Sequence, residues 1–160
     1  MMSKDNFTRM RKLAEEFFAM HNDLSQIAVN EDTMKRLLKI HPGTLSEKKN
    51  KEGPIAWMLI IPTTKQIMGN FITGKINERG LLDQTPVGVK YEAIYLCSAL
   101  VLPEFRGKGI AKKLIYKAID SIQRDHPIKY LFVWSFSKEG EGLAGTMAAK
   151  FNLPLFKRIK

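Results

Sequence analysis

Six consecutive residues, Arg106-Gly107-Lys108-Gly109-Ile110-Ala111, place two glycines and two cations between an apolar run and a helix-patterned stretch. Glycine lets backbone approach a ligand with no Cβ in the way. A helix that opens at such a turn directs unpaired N–H groups, and the positive end of its dipole, outward. Arg106, Lys108, Lys112 and Lys113 gather further positive charge around the same turn. This is a combination suited to a pyrophosphate. A tight strand-to-helix turn with exposed lysines satisfies the same local pattern, so the choice between the two rests on context.

Charge supplies part of that context. The chain carries a formal +10, and residues 101–160 hold 12 basic against 5 acidic side chains, leaving +7 there and +3 on the first hundred residues. An excess this local favours an anionic partner near the C-terminal part, phosphate cofactor or nucleic acid. No nucleic-acid motif accompanies it, and aromatic residues are not interleaved with the basic cluster at 106–117, so a nucleic-acid partner is not expected.

Other motifs resolve against chemistry. Gly140-Glu141-Gly142-Leu143-Ala144-Gly145 fits GxGxxG, but only fifteen residues follow it, too few for the rest of a dinucleotide-binding unit; it reads as a flexible strand-to-helix connection. Gly107-Lys108-Gly109 lacks the spacing and the hydroxyl of a P-loop. Cys97 is the sole cysteine and there are three histidines, which excludes an internal disulfide and a four-ligand zinc site; no metal is expected. Cys97 among apolar neighbours reads as a small buried side chain rather than a nucleophile.

The elements around the glycine turn follow from periodicity. Apolar residues at helical spacing predict a helix over 7–21 and a second through 34–38, ending near His41-Pro42-Gly43. A polar turn at 48–54 precedes two strands at 55–61 and 66–76, read as a hairpin about Pro62-Thr63-Thr64-Lys65. Residues 77–89 read as a long loop, 91–102 as a strand, 107–124 as containing a helix, 129–136 as a strand, 143–151 as a helix and 154–159 as an edge strand. Trp57 and Trp134 are expected in the core. The order implies a mixed α/β (α+β) fold, a largely antiparallel sheet flanked by helices, in a single domain of residues 1–160. Without a secretory pattern at the start or an apolar run near ~20 residues, the expectation is a cytoplasmic protein with no membrane partner.

Placed after a strand and before an amphipathic helix, Arg106 to Ala111 matches the Arg/Gln-x-x-Gly-x-Gly/Ala signature of the GNAT superfamily, and Ala99 to Phe105 resembles that family's approach strand. The similarity in element order covers about residues 55 to 156. It implies a GNAT-like acyl-CoA-dependent N-acyltransferase that takes acetyl-CoA, or another acyl-CoA, as co-substrate. By the resemblance Arg106, Gly107, Lys108, Gly109, Ile110 and Ala111 hold the pyrophosphate. The pantetheine arm would lie between two splayed parallel strands, at 91–102 and 129–136, with backbone at Leu100 and Val101 pairing its amides and a nearby N–H polarising the thioester carbonyl. Direct attack by an amine of a small molecule or protein acceptor, both substrates held in one complex, is the implied reaction. The oligomeric state is left open, a dimer included.

An acceptor ammonium must lose a proton. Tyr95 and Glu92 are the candidate catalytic side chains on the central strand; the resemblance places Tyr95 where members often carry a glutamate, while Glu92 has the better chemistry but the opposite strand face. Many members also carry a tyrosine on the final helix, where this chain reads Thr146-Met147-Ala148-Ala149-Lys150-Phe151. Ser135 and Ser137 are further hydrogen-bonding groups for CoA or a water. The missing tyrosine keeps a competing reading open, a non-catalytic acyl-CoA-binding or sensing domain.

Overall fold

The computed structural model describes residues 5–20, 31–134 and 138–158. Two helices come first, α1 (Asn6–Met20) and α2 (Glu31–Ile40), the latter with Glu31 and Asp32 in its first turn and Lys39 in its last, matched to the helix dipole. Strands β1 (Leu45–Asn50) and β2 (Gly53–Thr63) form an antiparallel hairpin turned at Gly53, whose φ of 116° favours glycine. The polar segment expected as a turn is thus largely strand. β1 is an edge strand with its last four residues exposed, so its polar composition carries no alternating apolar signal.

The second expected strand does not form. Residues 65–72 are helix α3 (Lys65–Ile72), capped by Thr64, whose Oγ1 accepts from the Ile67 N–H at 3.2 Å. Ile67, Met68 and Phe71 are its buried residues, and that spacing is helical, not alternating. β2 runs through Pro62 to Thr63 instead of turning there. The expected loop contains α4 (Glu78–Gln84), capped by Asn77, whose Oδ1 accepts from the Gly80 N–H at 2.7 Å. Arg36 of α2 fastens the end of α4 by donating to the carbonyls of Leu82, Asp83 and Thr85.

The chain then follows β3 (Ala93–Val101), α5 (Ile110–Asp125), β4 (Tyr130–Trp134), α6 (Lys138–Phe151) and β5 (Leu155–Arg158). Gly140 to Gly145, expected as a flexible connection, lies within α6. The sheet order is β1-β2-β3-β4-β5. The long β1/β2 and β2/β3 pairings are antiparallel, while β3/β4 and β4/β5 are short parallel pairings across helices. The architecture is therefore mixed α/β with a mostly antiparallel sheet.

Helix α5 buries Ile115, Ala118, Ile119 and Ile122, one stripe at i, i+3, i+4 and i+7. α3 places Phe71 against Tyr95 and Phe132 of the sheet, ring centroids 4.9 and 5.8 Å apart. Full burial of such a side chain contributes about 2–3 kcal/mol. A smaller cluster of Met10, Ile55 and Leu102, with Leu13, Leu100, Phe105 and Ile110 packed on it, seats α1 beside the glycine turn. Among the described residues no helix is long and apolar enough to cross a membrane, and no group of three His, Cys, Asp or Glu residues is set to hold a metal.

Candidate active site

β3 and β4 are hydrogen-bonded only at Ala93/Tyr130, Ile94/Leu131 and Tyr95/Phe132. Beyond that last pair β3 continues to Val101 and β4 to Trp134 without pairing to each other, so the strands part and, among the described residues, the facing edge of β3 has no strand partner. The opening is a cleft of about 820 Å³. Its walls include Leu100 and Val101 from β3, Val133 and Trp134 from β4, Leu13 and Glu16 from α1, and Leu143 and Ala144 from α6. Arg106, Gly107, Gly109, Ile110 and Ala111 line its mouth.

The mouth is built by backbone. Gly107 and Gly109 both hold φ of 78°, and a Cβ at either would meet no atom within 4 Å. Open space and left-handed backbone together leave room for a ligand against the main chain. Gly109 is the N-cap of α5 and supplies no side-chain cap, so the first N–H groups of this 16-residue helix face outward. Arg106 folds back, its Nε donating to the Val101 carbonyl at 2.9 Å, and ties the turn to the strand end. Lys108 places its Nζ 5.7 Å from the Phe105 ring centroid and is not among the cleft-lining residues. Glu104, two residues before Arg106, is paired with α1: Arg9 grips both its oxygens at 2.7 and 2.6 Å and holds its carboxyl down at about 2. Arg106 and Lys112 line the cleft at this end, together with the acid Glu16 of α1.

Midway along β3 the register with β2 shifts, Leu59 pairing with Ser98 and Ile60 with Leu96. Cys97 is therefore an extra residue, a bulge that re-aims the strand where the cleft begins. Its Sγ donates to Glu78 Oε1 at 2.9 Å. Glu78, on the first turn of α4, is 5 % exposed. Burial, and then the Glu78 carboxylate, push the Cys97 thiol well up.

Tyr95, two residues before this bulge, is 1 % exposed, stacked on Phe132 at 5.2 Å, and not among the cleft-lining residues. Burial, followed by Cys97 and Glu78, raises its phenol well above the usual range. Glu92 precedes β3, its backbone bonded to Thr63, Lys129 and Tyr130. It lies five residues from the bulge, roughly 16 Å of extended chain, and the structure does not bring it to the cleft. Trp134, expected in the core, is half-buried in the cleft wall, and Trp57 is half-buried with its indole N–H on Glu47 at 2.6 Å. Ser135 and Ser137 lie outside the described residues. In α6 Met147 and Ala148 are buried and the Thr146 hydroxyl donates to the Gly142 carbonyl.

Glu78 escaped the sequence reading because 77–89 shows no sustained period. The available signal was Asn77 followed by a first-turn acid, the mark of a helix start. Arg158 was equally invisible: its guanidinium sits 4.6 Å from the Phe71 centroid and 4.5 Å from Trp134, and Nη1 donates to the Ile76 carbonyl at 2.9 Å.

Comparison with known proteins adds a family. The profile of the family described as acetyltransferase (GNAT) matches residues 10–139. A search of curated proteins finds no match. Among solved structures, the chain is similar to an aminoglycoside acetyltransferase, meta-AAC0020, from an uncultured soil metagenomic sample in complex with trehalose, with 13% identity, TM-score 0.49, and coverage of 91% of this chain and 81% of that one. It is also similar to the aminoglycoside 6'-N-acetyltransferase AAC(6')-IG from Acinetobacter haemolyticus, with 13% identity, TM-score 0.40, and coverage of 82% and 92%. A third structure, AtaTR bound with AcCoA, has 13% identity and TM-score 0.39 over 78% of this chain and 77% of that one. At these scores the three structures carry no argument about substrate.

Proposed function

Since this chain belongs to the acetyltransferase (GNAT) family, we propose that it is an N-acyltransferase, one domain over 1–160, which moves an acetyl group from acetyl-CoA to an amine within a ternary complex. The observation that supports this reading best is the parting of β3 from β4 directly after Tyr95/Phe132, with the glycine turn and the N-terminus of α5 at the mouth of the gap. An extended arm ending in a pyrophosphate has the shape and polarity of that cleft.

In this reading the first N–H groups of α5 and the open backbone at Gly107 and Gly109 take the pyrophosphate, with Lys108, Lys112 and Lys113 adding charge. The free edge of β3, including Leu100 and Val101, takes the pantetheine amides. The thioester then sits toward the bulge at Cys97, where re-aimed backbone stabilises negative charge developing on the carbonyl oxygen. The amine nitrogen bonds to the carbonyl carbon, the carbon–sulfur bond breaks, and CoA leaves as a thiolate. With a thiol pKa near about 8.5, that departure needs no dedicated acid, which accommodates an α6 without a tyrosine. Tyr95 packs in the core behind the site, against Phe71 and Phe132, and Glu92 takes no part in proton transfer. The acceptor is an amine-bearing small molecule or protein.

The first test is calorimetry with acetyl-CoA and CoA, together with the melting temperature in saturating ligand, which must rise if the folded state binds selectively. No binding at millimolar ligand would overturn the proposal. Binding without turnover on an amine panel would leave the chain as an acyl-CoA-binding or sensing domain, a reading that the absence of a tyrosine on α6 also fits.

A further inference from the structure

A carboxylate buried to 5 % exposure stands directly behind the cleft wall at the bulge. Glu78 belongs to α4, on the same side of the sheet as α3 with Phe71 and Tyr95, and its Oε1 accepts from Cys97 at 2.9 Å. Cys97 lines the cleft and Glu78 does not, so the thiol touches both the carboxylate and the space where an acyl group would end. Resting on the acetyl-transfer reading above, we propose that Glu78 takes up the acceptor's proton through the thiol of Cys97, and so determines which amines this protein can acylate.

The chemistry is a two-hop transfer. The acceptor ammonium first passes a proton to Cys97 Sγ while the Cys97 proton passes to Glu78 Oε1, which frees the nitrogen lone pair. The neutral amine then bonds to the thioester carbon as the carbon–sulfur bond of acetyl-CoA breaks, and the second nitrogen-bound proton leaves to water or the departing thiolate. The thiol ends as it began, Glu78 is protonated, and CoA leaves as a thiolate that water or Glu78 then protonates. The thiol never needs to ionise, which agrees with a group that burial holds protonated. Among the described residues, the groups facing this pair include Tyr95 and Ser98 from β3, and Arg158 of β5, whose charge is felt at Tyr95. Tyr95 and Ser98 offer hydroxyls, and Arg158 is held between Phe71 and Trp134. Of these groups, Glu78 is the carboxyl, the acceptor whose hydrogen bond from Cys97 is already in place.

The pairing also explains why α4 is held so firmly. Thr63 and Thr85 join through their hydroxyls at 2.7 Å in the buried interior, Thr85 caps the Leu81 carbonyl, and Arg36 takes three carbonyls from 82 to 85. These bonds set the helix that carries Glu78 against β3.

The experiment compares two nucleophiles on acetyl-CoA-saturated protein, following release of CoA thiol. Spermidine is a strongly basic amine whose nitrogen must shed a proton; hydroxylamine is mostly neutral at pH 7.5 and sheds its proton to water. Glu78→Gln keeps the shape and should bind acetyl-CoA as the parent does. It should lose on the order of 100-fold in spermidine transfer and less than about fivefold in hydroxylamine transfer, and the limb of the spermidine pH–rate profile set by the carboxylate should disappear. Cys97→Ser, which keeps a hydroxyl relay, should stay within about tenfold of the parent, while Cys97→Ala should match Glu78→Gln. Equal losses toward both nucleophiles, an unaffected Glu78→Gln, or Cys97→Ala as fast as Cys97→Ser would each overturn the proposal. So would a parent that binds acetyl-CoA yet transfers to neither nucleophile. A parent that fails to bind acetyl-CoA overturns the acetyl-transfer reading itself, and calorimetry reveals that before any rate is measured.

Discussion

Gly109→Val separates the ligand-binding role of the glycine turn from its structural role, because Gly74 provides a matched control. The two positions have φ of 78° and 82°, and a Cβ at either meets nothing within 4 Å. The Cβ of valine therefore adds no clash within the folded chain at either site. Its cost is the left-handed backbone, about 1–3 kcal/mol for a non-glycine residue held there. For a domain of this size that lowers Tm by roughly 2–4 °C per kcal/mol, so both variants should melt lower by similar amounts and still fold. Only Gly109 lines the cleft, as the N-cap of α5; Gly74 lies in the turn after α3. At position 109 the side chain fills the space in front of the outward N–H groups, and loss of two or three hydrogen bonds to a charged group, at about 1.5–3 kcal/mol each, predicts a drop in acetyl-CoA affinity of at least 100-fold. Calorimetry on Gly109→Val, Gly74→Val and the parent reads this directly. Affinity lost equally in both variants, or in neither, would refute the assignment of the turn.

Three further outcomes follow from the packing and the ionisable groups. Tyr95→Phe keeps the ring on Phe132 and Phe71 and should cost less than about tenfold in turnover, or ~1.4 kcal/mol of barrier; a basic limb in the pH–rate profile that vanished with this change would instead make Tyr95 the acid. Glu104, held at about 2 by Arg9, contributes stability that is fully present above its unfolded value near 4.5 and is lost as pH falls toward 2. Glu104→Gln should flatten the dependence of Tm on pH in that window. His126 is held below its ordinary value of 6.5 by burial and then by His41, so the unfolded chain binds more protons there. Stability should decline as pH drops through 6.5, and His126→Asn should reduce the slope of a denaturation series across that range.

What could be read from the residues alone was local. The glycine turn, its cations and the helix after it lie within a dozen positions, and the physics that makes them an anion site, φ freedom and unpaired N–H groups, acts over the same distance. α1, α2 and α5 were likewise legible because each shows a helical period, and β3 and β4 because each is a short apolar run rich in β-favouring residues. α3 was lost because Thr64, in fact its cap, reads equally as a turn residue after Pro62, and β1 because an exposed edge strand needs no apolar alternation. The remainder was tertiary. The cleft exists because parallel pairing stops at Tyr95/Phe132, and the bulge exists because Ile60 and Leu59 skip Cys97; neither is encoded in any short window. Glu78 and Cys97 are nineteen residues apart, on elements joined by no motif. Only the packing of α4 across the sheet brings the carboxylate to the thiol, since a buried charge must find a hydrogen-bond partner wherever the fold places one.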